Sequence, residues 1–278
     1  MTASDRQRAA QFVGGYPPEA LEVVERLCTQ FPDAGVSIGT VDGGFRTPAI
    51  FWAEGGGGIE DGLAYQDRFA PDMTDRIRAA HLIAFYSHQL SMVLGASYLG
   101  AGLAAEVSGL RFEAWTRTVR GVEIAGKRFH FHLDRLAPGD VRGVERQYVA
   151  QLKPVIAALK RRTGLSSGAQ WRLAADSLAG AFLEIGRAIG DEARGMAEAL
   201  AIVKRRGSPL YSEELCYEEI VAVDPTSGER LSRQYRMRCG CCLYFRTEGG
   251  SFCDTCVLLE PEARRAQLVA HLMQNGGA

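Results

Sequence analysis

Five of the seven cysteines fall within one short run, RCGCCLYFRTEGGSFCDTC, from Arg238 to Cys256. Two are adjacent, Cys241 and Cys242, and ten residues later Cys253 and Cys256 form a C-x-x-C pair. Thiolates are soft ligands, so the pattern admits a disulfide staple, a zinc knuckle or an iron–sulfur cluster. The cysteine total is odd, and Cys28 and Cys216 lie far from the rest. The opening stretch MTASDRQRAAQFVGG is charged, with neither the apolar segment nor the small-residue cleavage site of an export signal. The expected compartment is therefore the cytoplasm, where thiols stay reduced, and the staple is the weakest of the three readings.

Two tetrads can be drawn. Cys239, Cys242, Cys253 and Cys256 give C-x2-C-x10-C-x2-C, a spacing suited to tetrahedral zinc. Cys241, Cys242, Cys253 and Cys256 give C-C-x10-C-x2-C, whose first two side chains point to opposite faces of an extended strand. A turn at Gly240 would bring them to one centre, and a two-iron cluster offers two metal positions to wider-spread ligands. Spacing alone leaves zinc and iron–sulfur open. Other patterns are weaker. His130 and His132 share a strand face with no third ligand nearby in sequence, so hydrogen-bonded or solvent-facing rings are the better reading. Gly55 to Gly58 lacks the G-K-[ST] ending of a phosphate loop and reads as a plain loop.

The cysteines need a scaffold, and 278 residues at 46% hydrophobic and 23% charged can build one around a sizeable core. A net charge of −1 argues against a general nucleic-acid binder. The expected fold class is α+β, mainly helical with antiparallel β segments and a small C-terminal cysteine module. Residues 1–229 are expected to form the scaffold and 230–278 the module packed on it. A helix is expected over Pro18–Phe31, and VSIGTV reads as a strand with PAIFWA as its partner. A long helix from Asp72 to Glu106, broken near Gly95 or Gly100, carries a charge-free stretch from Ala79 to Ala105. Its internal His, Ser and Gln residues favour a buried central helix over a membrane span, and leave room for a weak association with the inner membrane. RFEAWTRTV and RFHFHL alternate around a turn-like EIAGK and predict an antiparallel pair. Helices are then expected over Asp140–Arg162 with a kink at Pro154, Gly168–Ile189 and Asp191–Arg206. The strand pair Leu215–Val223 and Arg230–Arg238 leads into the cysteines, and a last helix starts at Pro261.

The C-C-x10-C-x2-C run near the C-terminus, with Arg238 before it, Phe245 and Arg246 after the second cysteine, resembles the FhuF-type family of ferric siderophore reductases. The order of elements agrees more weakly over most of the chain, and Cys239 departs from the family pattern. The resemblance implies a [2Fe–2S] cluster held by Cys241, Cys242, Cys253 and Cys256. It also implies a cytoplasmic oxidoreductase that passes one electron to a ferric siderophore, with hydroxamates the expected class. A reduced ferredoxin or flavoprotein is the expected donor. Arg238 and Arg246 match family positions and are candidates to bind substrate or to offset the anionic cluster. Arg230, Arg233 and Arg236 read as a solvated strand face. Trp171, on a family-like helix, is a candidate to line the substrate pocket and equally a core indole. The alternative is a non-redox helical protein with a four-cysteine zinc knuckle.

Overall fold

A computed structural model describes residues 18–39, 43–119, 121–224 and 227–275. The N-terminal stretch read as lacking an export signal lies outside these residues, as does Asp42 of the first expected turn. The architecture is α+β. Helix α1 (Pro18–Gln30) leads to strand β1 (Gly35–Ile38), short helices α2 (Pro48–Phe51) and α3 (Gly58–Gln66), and the long α4 (Asp75–Ala101). A hairpin of β2 (Leu103–Val119) and β3 (Val122–Pro138) follows, then α5 (Val141–Thr163), α6 (Ser167–Ala188) and α7 (Glu192–Val203). The chain finishes with β4 (Cys216–Val223), β5 (Arg230–Met237), a single 3-10 turn at Tyr244–Arg246 and α8 (Pro261–Asn275).

The central helix α4 is buried along nearly its whole length and packs against α6, α5 and the sheet. Among the described residues no helix is long and apolar enough to cross a membrane. Thr74 caps α4 by accepting from the Ile77 N–H, and Gly102 ends it at φ 69°. The helix is unbroken at Gly95, which is small for packing rather than for bending. A Cβ there would lie 2.8 Å from Ile185 and 2.9 Å from Phe182 of α6. Leu103 to Glu106, expected as helix, instead begin β2.

The first sheet has the order β1-β3-β2, with β1 parallel to β3 and β2 antiparallel to it. PAIFWA is therefore not the partner of β1. Thr47 and Pro48 make a helix start, the Thr hydroxyl accepting from Ile50 N–H, and this local capping outweighs the β preference of the apolar run. EIAGK is strand rather than turn: Val119 pairs with Val122, and the reversal falls at Gly121, φ 79°. Only His130–Leu133 of β3 pair with β1, so the far half of the hairpin is two-stranded. Pro154 sits inside α5 without ending it.

The second sheet is the antiparallel β4–β5 pair. Ile220, Ala222 and Met237 meet Leu268 and Leu272 of α8 in a small core separate from the main one. Tyr217 of β4 donates its hydroxyl to Ala179 O of α6 at 2.7 Å, and Arg187 of α6 reaches Gln234 O of β5. These bonds fix the hairpin that delivers the cysteine loop.

Candidate functional site

Strand β5 carries the chain to Met237, and the next three residues land on α6. There the Asp176 carboxylate, 2% exposed, meets all of them. Its Oδ1 accepts from Cys239 N–H at 2.9 Å, and its Oδ2 accepts from Gly240 N–H at 3.0 Å and Arg238 Nε at 3.3 Å. A buried carboxylate is costly unless its lone pairs are filled, and here two backbone donors and one guanidinium fill them. Arg236, buried behind it, donates to Asp176 O over Gly180, where a Cβ would collide with the guanidinium. Gly240 has the same reason to be small: a Cβ would sit 2.9 Å from Leu173 N. The missing side chain at Gly240 thus lets the loop lie directly on the helix. Asp176 was missed in the sequence, where its signal is a lone acid inside the apolar run LAADSLAGAFL.

Beyond Gly240 the thiols gather. Leu243 has φ 64°, a left-handed conformation uncommon outside glycine. The turn aims main-chain donors back at sulfur: Leu243 N–H reaches Cys241 Sγ at 3.4 Å, and Tyr244 N–H reaches Cys242. Cys253 and Cys242 share a hydrogen bond, so the Cys242 thiol is pushed down and its neighbour up. His81 of α4 also hydrogen-bonds Cys242, and its Nε2 is buried without a partner among the described residues. Arg238 donates to Cys253 Sγ at 3.3 Å. Burial works against the charge of Arg238, but Asp176, Cys253 and Cys242 outweigh it and hold the guanidinium protonated. Cys256 closes a turn on Cys253, its N–H bonding Cys253 O at 2.9 Å, and is buried. Burial raises the Cys241 thiol, and Cys242 and Cys256 are among its electrostatic neighbours.

Cys239 stands apart from this group. Its thiol faces Arg172 O at 3.5 Å, and Arg172 donates back to Cys239 O at 3.4 Å. Burial and then Asp176 push it up to about 12. The groups that bond this thiol are Arg172 O, Asp176 and Ser212. Among the described residues no three His, Cys, Asp or Glu side chains are set for a single metal ion. Cys241, Cys242, Cys253 and Cys256, the remaining thiols of the loop, would be the residues to hold a two-iron cluster. The donor set fits such a group, because a guanidinium, an imidazole and two main-chain N–H groups all point at sulfur and favour anionic thiolates.

The other expected residues lie at varied distances from this centre. Arg246 is exposed, its guanidinium 5.4 Å over the Phe245 ring. Arg230 is exposed and Arg233 half-buried, whereas Arg236, read as part of a solvated face, is sunk against α6. Trp171 is half-buried against the main core, one residue before Arg172. Arg172, Arg238 and Arg264 line a hollow of about 440 Å³ beside Cys239. His130 Nδ1 lies 2.9 Å from Glu113 Oε1 and His132 Nδ1 3.2 Å from Ser37 Oγ, so both rings are hydrogen-bonded.

Residues 238–258 match the family model described as the FhuF 2Fe-2S C-terminal domain. No curated protein matches the chain. The matched segment contains the whole cysteine loop, and its cofactor is a [2Fe–2S] cluster. Over these residues the chain carries an iron–sulfur domain of the FhuF type.

Proposed function

We propose that this chain, carrying a FhuF-type 2Fe-2S domain at 238–258, is a cytoplasmic ferric siderophore reductase. The observation that carries the reading is the loop itself: inside the matched segment Cys242 is hydrogen-bonded to Cys253, and donors reach Cys241, Cys242 and Cys253. When bound, the cluster supplies one electron at a time, enough to turn chelated Fe(III) into Fe(II). Fe(II) carries less charge and is held far less tightly by hard oxygen ligands, so the chelate opens.

Cys241, Cys242, Cys253 and Cys256 are the ligands in this reading. Arg238 offsets the negative charge of the thiolates, and Asp176 sets its position. The N–H groups of Leu243 and Tyr244 hold sulfur lone pairs in place. Residues 1–229 serve as the scaffold and residues 230–278 as the cluster module. Arg246, exposed on Phe245, meets an acidic donor in this reading, a reduced ferredoxin or flavoprotein.

Protein prepared without oxygen should be red-brown, hold two irons per chain and bleach with dithionite. Mixing the reduced protein with a ferric siderophore should reoxidise it while an Fe(II) trap colours in step. A colourless chain with one zinc, or a reduced cluster indifferent to every ferric chelate, sinks the proposal.

A further inference from the structure

A cavity of about 350 Å³ opens between the α3–α4 corner and the far half of the β2–β3 hairpin. That size is in the range of small-molecule sites. Tyr65, Phe69 and Phe85 form one wall and Trp115 the other. Phe69 and Ile124 at this cavity are 46% and 41% exposed, apolar surface gathered where a ligand would enter. Three cations also line it, Arg68, Arg117 and Lys127, against one carboxylate, Asp33. Asp33 is spent on Arg117, at 3.0 Å. Arg68 donates to Tyr65 OH at 2.8 Å and Ala125 O at 3.2 Å, and Lys127 Nζ lies 5.3 Å over the Phe112 ring. Neither has a carboxylate partner among the described residues. Two positive charges are thus left unmatched among aromatic faces.

The cavity is joined to the cysteine loop by rings. Phe69 lies 6.4 Å from the His81 ring, His81 lies 5.8 Å from Tyr244, and His81 bonds Cys242. The hollow beside Arg238 is cationic too, but no aromatic side chain lines it.

Building on the reductase reading, we infer that this cavity seats the ferric complex and selects anionic, aromatic chelates of the catecholate class. Three dianionic catecholates around Fe(III) leave a threefold negative charge, whereas three hydroxamates leave none. The cations answer that charge, and the rings of Tyr65, Phe69 and Trp115 offer stacking faces to the catechols. This inference departs from the hydroxamate class expected from the resemblance.

Gallium(III) complexes test this apart from reduction, because Ga(III) matches Fe(III) in charge and accepts no electron. The holoprotein is titrated calorimetrically with Ga(III) complexes of a tricatecholate, of citrate and of a trihydroxamate. The tricatecholate should bind at least about tenfold tighter than the trihydroxamate, and more weakly as salt is raised. It should also outbind citrate, which is anionic without rings. Arg68→Glu and Lys127→Glu should each weaken it about tenfold with the visible spectrum of the cluster unchanged. Arg264→Glu, in the other hollow, should leave it unchanged. Equal or tighter binding of the trihydroxamate, or loss with Arg264→Glu in place of Arg68→Glu, overturns the assignment. Tight Ga(III) tricatecholate binding with no reoxidation by any ferric chelate leaves the cavity standing and removes the reductase reading.

Discussion

The two halves of the cysteine loop are held in opposite ways. Arg238 to Gly240 are clamped by one buried carboxylate, and every polar group of that carboxylate has its partner. Leu243, left-handed, and Tyr244 still pack on Ala70, Met73 and Ile77, but from Thr247 to Gly250 the chain leans on its own turns, flanked by an exposed Arg246 and a 41% exposed Phe252. The same residue types take different roles across this divide. The Arg238 guanidinium is fixed by Asp176 and Cys253, while that of Arg246 lies exposed over the Phe245 ring. Cys239 is locked to a helix, while Cys242 faces other thiols. The difference teaches that the loop is registered from its inner end, and that the outer end is left to present a surface.

Breaking the inner clamp should have the largest effect. Asp176→Ala strands Arg238 and two main-chain donors, and should cost about 3–5 kcal/mol in denaturant unfolding, with lowered iron content. Little loss would mean that the loop is registered elsewhere. Gly240→Ala forces a methyl against the α6 backbone and should cost about 1–3 kcal/mol, read from the same curves. Cys239→Ser tests whether this thiol is merely packing: about 1 kcal/mol of stability should go, with the visible spectrum of the cluster intact. A lost or shifted spectrum would return Cys239 to the ligand set. Arg246→Ala should change stability by less than about 0.5 kcal/mol and slow reduction by an acidic donor protein at low salt. Unchanged donor kinetics would remove the outer half from partner docking.

Much of this was legible because ligand spacing is a local property. The cysteine motif, the hairpin before it and the helix from Pro261 need no tertiary knowledge. Helix α4 was visible as an apolar stretch, but its end was not, since Leu103 to Glu106 could continue a helix until Gly102 adopts the left-handed turn. Thr47-Pro48 was overlooked as a helix start, and with it the parallel pairing of β1. Asp176 is a non-local partner, and an acid in an apolar helix says only that something must answer it. The aromatic cavity was illegible for a stronger reason. Asp33, Tyr65, Phe85, Trp115 and Lys127 come from five separate segments, and no window of sequence holds them together.

The long hairpin has a consequence for cargo. Four residues of β1 stiffen its root, while beyond Phe129 it continues as a bare ribbon with both margins free of a third strand among the described residues. One side of the cavity is therefore helix and the opposite side a two-stranded arm, tied back where Arg68 donates to Ala125 O and the Tyr65 hydroxyl accepts from Lys127 N–H. The arm and the thiols thus rest on different supports, so the side chains lining the cavity can be exchanged along the arm while the clamp on Asp176 stays as it is.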